Sequence, residues 1–389
     1  MNKDSNLSRR ILDIHKSAIH EMTRLSRKFE DVAFLSWAKP TSGTPEFIKA
    51  AAIDAIKNGL VDGYSESMGI IELREEIAKK VKSYNRIDAT PQQILVTVGA
   101  IEGLAAGVMT SIDPGDEVIL PDPTYSTHIR QVILASGKPI LVSLIEEEGF
   151  RLNIDEMRKA VTSKTKAIMY CSPANPTGAV FTEKQLRELA DLALEYNLMV
   201  ITDEAYEYFI YDDYKHFSIG SIDEMRDHTI SCFTFTKNYA MTGWRIGYLH
   251  ANEDFIPHLN KAHIPFAICA PVISQYAALA ALKGSQTCID DFRNHYLEAR
   301  NLMCKRLDEL PSVFSYQKPR GSYLMFPKIL VKEGKDSVTF CKNLLREVKV
   351  STTPGIAFGP SGESHLRLSF CVPLDMINKA FDRMNRYFS

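Results

Sequence analysis

The chain has 389 residues, 45% of them hydrophobic, with 46 basic and 48 acidic side chains and a net charge of −2. This composition is ordinary for a globular protein of two domains or one large unit, which can bury a sizeable core. Because the net charge is close to zero, it excludes strong general attraction to nucleic acid or to an acidic membrane surface. Small molecules are the expected ligands.

The chain also lacks sequence signals for membrane insertion, secretion and metal binding. No apolar run approaches the ~20 residues that span a bilayer, and the stretch MNKDSNLSRR lacks the apolar core of a secretory signal. The seven cysteines include no CxxC pair, which is typical of reduced, buried thiols rather than of disulfides or zinc ligands. We therefore expect a cytoplasmic protein without a metal site.

From about residue 94 the chain alternates short β-branched runs with helical stretches, in which apolar residues recur every three or four positions. This alternation is typical of βαβ units, which build a mostly parallel sheet with helices on both faces. We therefore predict an α/β domain with a seven-stranded sheet. Its strands are expected at 94–98, 117–121, 139–144, 166–171, 198–204, 229–235 and 244–250.

The pattern changes after about residue 286, where a long charged helix is followed by short strands and further helices. Such a mixture predicts a smaller α+β domain. The first 30 or so residues have the pattern of an amphipathic helix, and we assign them to this smaller domain. The predicted boundaries are 46–285 for the large domain, and 1–45 together with 286–389 for the small one.

Two motifs follow strand ends, where ligands sit in open α/β sheets. TVGAIEG leads from a strand through Gly99 into a helix, so that the backbone N–H groups of Ala100 and Ile101 would face an anion. An ordinary strand-turn-helix joint is the alternative. PDPTYSTH holds Tyr125 after the next strand, where its ring could stack on a planar ligand or simply pack against the core.

Two later strand ends carry side chains suited to chemistry. CSPANPTGAV fixes Asn175 between prolines, and its amide can both donate and accept hydrogen bonds. ITDEAYEYF places Asp203 directly after a buried strand, where a carboxylate needs a cationic or donor partner to stay ionised. Tyr206 follows three residues later. For Asn175 a simple loop role, and for Asp203 a capping role, are the alternatives.

The segment FTFTKNYAMTGWRIGY contains one lysine and one arginine among threonines and aromatic residues. Thr234, Thr236 and Arg245 are good phosphate ligands. Lys237, if it lies in a dry pocket, would have a lowered pKa and act as a nucleophile toward aldehydes; a surface lysine is the alternative. One ligand, pyridoxal 5′-phosphate, would engage all of these strand ends.

Together these motifs resemble, in order, those of the class I/II aminotransferases, which are pyridoxal-phosphate enzymes of fold type I that include the aspartate aminotransferases. The resemblance runs from about residue 35 to 388, and also includes YSESMGIIELREEIA, PGDEVILPDPTY, PGIAFG and HLRLSF. It implies an enzyme that moves an amino group between an L-amino acid and a 2-oxo acid, with 2-oxoglutarate and glutamate as one pair. It also implies a homodimer with shared active sites.

The resemblance assigns roles to individual residues. Lys237 would bind the cofactor as a Schiff base and then move protons, and Asp203 would pair with the pyridine nitrogen. Asn175 and Tyr206 would hold the phenolic oxygen of the ring, on which Tyr125 would stack. The phosphate ligands would be Ala100, Ile101, Thr234, Thr236 and Arg245, and Tyr64 would reach the phosphate in the neighbouring subunit.

The substrate side of the site is less regular. Arg367 would clamp the α-carboxylate of the substrate, together with Asn175. WAKPTSGTPEF departs from the GEPD-like loop of many relatives, because Ala38 and Lys39 replace glycine and glutamate. These two residues are candidate substrate contacts, or belong to a repacked loop. This change keeps a C–S lyase or an amino acid oxidase as alternatives. His263 could line the pocket, or be a helix-end histidine without a task.

Overall fold

The computed structural model describes residues 6–14 and 17–389. Residues 1–5, with which the predicted small domain and the stretch MNKDSNLSRR begin, lie outside the described residues, as do residues 15 and 16. The helices are α1 (Arg9–Leu12), α2 (Ala18–Ser26), α3 (Glu46–Lys57), α4 (Ile71–Ser83), α5 (Ala100–Ser111), α6 (Ser126–Leu134), α7 (Ile154–Ala160), α8 (Glu183–Glu195), α9 (Phe235–Asn238), α10 (Ile256–Ala267), α11 (Val272–Lys283), α12 (Thr287–Leu307), α13 (Ser337–Val348) and α14 (Leu374–Phe388).

A seven-stranded sheet forms the centre of the molecule, and all seven predicted strands belong to it. After β1 (Ala33–Phe34), its strands are β2 (Ile94–Thr97), β3 (Glu117–Asp122), β4 (Lys138–Ser143), β5 (Thr165–Cys171), β6 (Met199–Asp203), β7 (Thr229–Thr234) and β8 (Gly247–His250). The order is β2-β8-β7-β6-β5-β3-β4, and only β8 runs antiparallel to its neighbours. The predicted mostly parallel sheet is therefore confirmed.

Helices cover both faces of this sheet, which explains why several of its strands are buried along their whole length. The edge strand β4 is partly exposed. Every residue of β2, β3 and β7 is buried. On one face Leu73 and Ile77 of α4 pack with Val96 of β2. On the other face Leu104 and Val108 of α5 belong to a separate cluster. The sheet thus has a core on each side.

The two ends of the chain form smaller sheets beside the large one. Their strands are β9 (Phe314–Ser315), β10 (Leu324–Met325), β11 (Lys328–Ile329), β12 (Val350–Ser351), β13 (Thr353–Pro354) and β14 (Leu366–Ser369). The amino-terminal β1 pairs in parallel with β12, and β14 lies between β10 and β13. Met22 and Leu35 share one core with Phe340 and Phe381. The exact boundaries, 46–285 against 1–45 with 286–389, stay a prediction.

All seven cysteines are free thiols, and six of them are buried, in line with their apolar surroundings. Cys288 is half-buried. Among the helices of residues 6–14 and 17–389, none combines the length and the apolar character that crossing a membrane requires.

Candidate active site

The carboxyl ends of β2, β3, β5, β6 and β7 lie at the same edge of the sheet and border a cavity of about 760 Å³. All the predicted site residues except Tyr64 line this cavity: Ala38, Lys39, Ala100, Ile101, Tyr125, Asn175, Asp203, Tyr206, Thr234, Thr236, Lys237, Arg245 and Arg367. Tyr64 lies elsewhere on the surface, and it is 80% exposed. Residues spread over 330 positions of sequence are thus brought together by one sheet edge.

One end of the cavity fits a phosphate group. Gly99 is the N-cap of α5, where it has a φ of +75° and offers no side chain to cap the first N–H groups. A Cβ at this position would lie 2.6 Å from Nη2 of Arg245, so that only glycine lets the guanidinium approach the helix start. A cation thus stands beside free N–H groups at a helix N-terminus. This arrangement suits a dianion.

Two threonine hydroxyls lie at the start of α9, the short helix that carries Lys237. Thr234 is the N-cap of α9, and its Oγ1 accepts a hydrogen bond from the N–H of Thr236 over 3.1 Å. The two hydroxyl oxygens are 2.8 Å apart. Thr234 therefore has a structural task as a cap, while both threonines also border the cavity beside Arg245.

Asp203 has the donor partners that the sequence required but did not identify. Nε2 of His128 lies 3.2 Å from Oδ2 of Asp203, and the N–H of Ala205 donates to Oδ1 over 3.1 Å. His128 is completely buried, and its ring meets the ring of Tyr125 edge-on at 5.4 Å. Sequence reasoning missed His128, which lies in the first turn of α6, three residues after the N-cap residue Tyr125.

The Lys237 ammonium lies within the cavity, surrounded by aromatic rings. Nζ donates to the carbonyl oxygen of Ala38 over 3.0 Å, and lies 5.7 Å and 5.6 Å from the ring centres of Tyr206 and Tyr323. Burial lowers the pKa of Lys237 from 10.5 to about 8, and the guanidinium of Arg367 acts in the same direction. The prediction of a dry-pocket lysine with a lowered pKa agrees with this geometry.

This pKa predicts a pH dependence for the reaction of Lys237 with an aldehyde in cofactor-free protein. Only the neutral amine attacks, so the rate should reach half of its maximum near pH 8 and fall about tenfold per unit below that. The rate of the absorbance change on adding pyridoxal phosphate, followed across pH, measures it. Free N-acetyl-lysine, with a pKa of about 10.4, is the control. A midpoint shared with this control would contradict the lowered pKa.

Asn175 and Arg367 form a linked pair of buried side chains. Nη1 of Arg367 donates to Oδ1 of Asn175 over 3.2 Å, and Nη2 donates to the carbonyl of Ser36 over 2.9 Å. Nε of Arg367 is buried and finds no hydrogen-bond partner in the part of the chain that the structure describes. A buried, incompletely satisfied guanidinium facing a cavity is suited to bind a carboxylate.

The loop at residues 37–39 enters the site mainly through its backbone. The carbonyl of Ala38 accepts from Lys237 and also from the hydroxyl of Tyr323, over 3.1 Å. Trp37 stacks on Phe34 at 4.6 Å, and the Lys39 side chain is exposed. Tyr323 is a second residue that sequence reasoning missed, because nothing in its segment SYLMF distinguishes a site residue from a core tyrosine.

His263 does not line the cavity. It lies inside α10 with a fully buried side chain, and its Nδ1 is 3.0 Å from Oε1 of Glu102. Glu102 belongs to the first turn of α5. His263 therefore has a structural partner and no contact with the cavity.

Comparisons with known proteins agree with this geometry. The family model of aminotransferase class I and II matches residues 31–384. The aromatic-amino-acid aminotransferase 2 of Thermococcus litoralis and the aspartate aminotransferase of Pyrococcus abyssi are each 40% identical to this chain. Both alignments cover 98% of this chain and 97% of the relative.

Solved structures of similar proteins share the fold. A single mutant of the aspartate aminotransferase of Thermus thermophilus superposes with a TM-score of 0.92 at 32% identity, covering 98% of this chain and 99% of that one. The aromatic aminotransferase of Pyrococcus horikoshii has a TM-score of 0.88 at 39% identity, with 95% and 98% covered. The chain therefore belongs to the class I and II aminotransferases, which use pyridoxal phosphate to move an amino group between an amino acid and a 2-oxo acid.

Proposed function

We propose that 2-oxoglutarate and glutamate are one of the two substrate pairs of this aminotransferase. The observation that carries the proposal is the charge of the cavity. Besides Lys237, Arg245 and Arg367, three further cations line it: Arg27, Lys39 and Arg130. Of the described lining residues only Asp203 is acidic. If Arg245 binds the phosphate of the cofactor and Arg367 binds the α-carboxylate, the three further cations remain available to bind a second carboxylate.

The three additional cations are not paired with any carboxylate of the residues that the structure describes. Neither Arg27, Lys39 nor Arg130 forms an ion pair within residues 6–14 and 17–389. Arg27 follows α2, Arg130 lies on α6 and Lys39 lies in the loop after β1, so they reach the cavity from three directions. A dicarboxylate would find electrostatic attraction at its distal end as well as at its α-carboxylate.

We assign the cofactor contacts to the residues that the cavity brings together. Asp203, backed by His128, would hold a proton on the pyridine nitrogen, and Tyr125 would stack on the ring. Burial raises the pKa of Tyr206, so its hydroxyl stays protonated and would donate to the phenolic oxygen, which Asn175 would also bind. Ala100, Ile101, Thr234, Thr236 and Arg245 would hold the phosphate group.

When bound, pyridoxal phosphate supplies an electron sink for the bond electrons released at the substrate Cα. Lys237 would provide the base for this step, because its amine lies in the cavity and burial lowers its pKa to about 8. The Ala38 carbonyl and the rings of Tyr206 and Tyr323 hold Nζ in place. Arg367 would bind the α-carboxylate and so fix the orientation of the substrate.

Arg367→Lys is expected to raise the KM for both the amino acid and the 2-oxo acid. Loss of a fork-shaped, charge-assisted contact is worth about 1.5–3 kcal/mol, which corresponds to roughly 10- to 150-fold in KM. Steady-state kinetics with both substrates measures it. Arg346→Lys, on the exposed face of α13, is the matched control and should leave KM unchanged. An Arg367→Lys enzyme with ordinary KM values would remove Arg367 from the substrate site.

We also propose a homodimer whose active sites are shared, in the cytoplasm. A second cavity of about 860 Å³ adjoins the site and shares Lys39 and Arg245 with it. Large apolar side chains are exposed on this chain, among them Phe266 at 65% and Ile268 at 47%, and Tyr64 is exposed with them. A second copy would cover apolar surface and bring its own Tyr64 to the phosphate end. Sedimentation equilibrium tests the dimer.

The decisive experiment for the substrate pair is a transfer assay with purified protein and pyridoxal phosphate. Aspartate, phenylalanine and a neutral aliphatic amino acid are each combined with 2-oxoglutarate or with pyruvate, and the amino acids formed are separated by chromatography. Glutamate should form faster than alanine from at least one donor. Faster formation of alanine throughout would overturn the dicarboxylate proposal. Ammonia release without amino transfer would instead support the amino acid oxidase, because none of these donors carries the sulfur leaving group that a C–S lyase needs.

A further inference from the structure

The turn that carries Asp203 and Tyr206 has a second face, which points away from the cavity. Asp203 and Tyr206 line the cavity, whereas Glu204 and Glu207, each one position later, do not. Both glutamate side chains are almost completely buried, at 2% and 1% exposure. A buried carboxylate needs a cation or several donors. The segment TDEAYE therefore has three residues at the cavity, Asp203, Ala205 and Tyr206, and two buried glutamates on its other face.

Each buried glutamate has several partners, and the two sets meet at Asn85, whose Nδ2 donates both to Glu207 and to the hydroxyl of Ser218 beside Glu204. Oε1 of Glu207 lies 2.5 Å from Nζ of Lys80, and Oε2 accepts from Nδ2 of Asn85 over 2.8 Å. Oε2 of Glu204 lies 2.6 Å from Nε2 of His216 and accepts from the hydroxyl of Ser218. Contacts at two positions therefore hold this turn on the side that faces away from the cavity.

The Lys80 ammonium occupies an aromatic cage behind the site. Nζ lies 4.8 Å from the ring centre of Phe233 and 5.2 Å from that of Tyr208, while the Tyr84 and Tyr248 rings are also within 6 Å. Phe233 directly precedes the cap Thr234 on β7. One buried cation therefore joins α4, the turn after β6 and the end of β7.

The same network reaches Lys237 through its neighbour in the chain. Nδ2 of Asn238 lies 3.5 Å from Oε1 of Glu207 and 3.4 Å from the carbonyl of Thr234. The hydroxyl of Tyr84 donates to the backbone carbonyl of Glu207 over 2.9 Å. Glu207 is therefore adjacent in sequence to Tyr206 and in space to the residue after Lys237.

We propose that the buried Lys80–Glu207 ion pair is a positioning device. It fixes where Tyr206 and Lys237 lie relative to each other in the cavity. The proposal rests on the roles given above to these two residues. Buried ion pairs are weak contributors to stability, because desolvation offsets the attraction, but their directional contacts exclude alternative packings. Neither side chain lines the cavity, so both act only through the residues beside them.

Glu207→Gln is the first test, because the amide keeps the shape of the side chain and removes its charge. On the holoenzyme kcat should fall on the order of 10- to 100-fold, the effect of a displacement near 1 Å at reacting groups, while KM stays within about threefold. In protein stripped of cofactor, Lys237 should also form its borohydride-reducible link with pyridoxal phosphate more slowly.

Glu117→Gln is the matched control. Glu117 is another buried glutamate paired with a lysine, Lys138, but it stands at the amino end of β3, away from the cavity. Both variants should melt at lower temperature than the wild type. Only Glu207→Gln should change kcat and the rate of link formation. If the two variants behave alike in both measurements, the pair is merely structural and the inference is overturned.

The double variant Lys80→Met/Glu207→Gln extends the test and replaces it if the single variant does not fold. It removes the charge of both members of the pair, so its melting temperature should recover relative to Glu207→Gln, in which Lys80 keeps its charge without its partner. A continued loss of kcat in this stable protein supports positioning, whereas recovery of wild-type kcat overturns it. Wild-type protein is assayed in parallel, since failure of its own transfer reaction would contradict the site roles and not the ion pair alone.

Discussion

Replacing Lys237 by alanine is expected to abolish both covalent attachment of the cofactor and amino transfer. Nζ lies in the cavity between two tyrosine rings, and no other lysine except Lys39 borders it within the described residues. Loss of a positioned acid/base typically lowers the rate by about 10²- to 10⁴-fold, and kcat should fall by at least that much. Borohydride reduction followed by mass analysis measures the attachment, and glutamate formation measures kcat.

Lys261→Ala provides the control for this change, because Lys261 is an exposed lysine on α10. That variant should retain the covalent link and an unchanged kcat. Alanine at position 237 also removes a buried amine, so the variant should fold and should still bind the phosphate group of the cofactor reversibly. A reducible link in Lys237→Ala would show that another amine, such as Lys39, is the attachment point.

Asp203→Asn is expected to lower kcat by about 10²- to 10³-fold, the effect of removing one electrostatic group from a water-excluded site. The amide keeps the shape of the side chain and can still accept from the Ala205 N–H, so the turn should stay folded. Without its charge, however, residue 203 can no longer hold a proton on the pyridine nitrogen, because the nearby His128 is not an anion.

Pre-steady-state kinetics with a saturating amino acid measures this effect directly, and cofactor affinity serves as a second measurement. Affinity should change much less than kcat, since the substitution leaves the residues at the phosphate end, such as Thr236 and Arg245, in place. Asp223→Asn, at an exposed position, should behave as wild type. A kcat within about threefold of the wild type would show that Asp203 is not the partner of the ring nitrogen.

The central sheet could be predicted from the sequence because its strands are buried on both faces. Such strands are continuous apolar runs, as in β3 and β5, and each is followed by a helix with a visible three-to-four-residue period. Parallel strands then place their carboxyl ends at one edge. That rule was enough to predict that Asn175, Asp203 and Thr234 share a cavity, although 59 residues separate the first from the last.

Partners of the site residues could not be predicted in this way, because a partner can come from any distance in the chain. His128 contacts Asp203 across 75 positions, and Tyr323 meets the carbonyl of Ala38 across 285. Neither carries a local pattern that differs from core packing. The same holds for Lys80. Its sequence context is that of an exposed, charged helix face, and only the fold brings Glu207, 127 positions later in the chain, into contact with it.

By itself the sequence determined the α/β sheet and the family, and it predicted most of the polar residues that line the cavity, because periodicity and strand-end motifs are local properties. The tertiary structure alone decided how these residues are oriented: the pKa of Lys237 depends on burial, and its Nζ is held by the backbone carbonyl of Ala38, a contact that the altered side chains of the 37–39 loop do not reveal. Desolvation and hydrogen-bond geometry arise from long-range packing, which no local pattern of residues encodes.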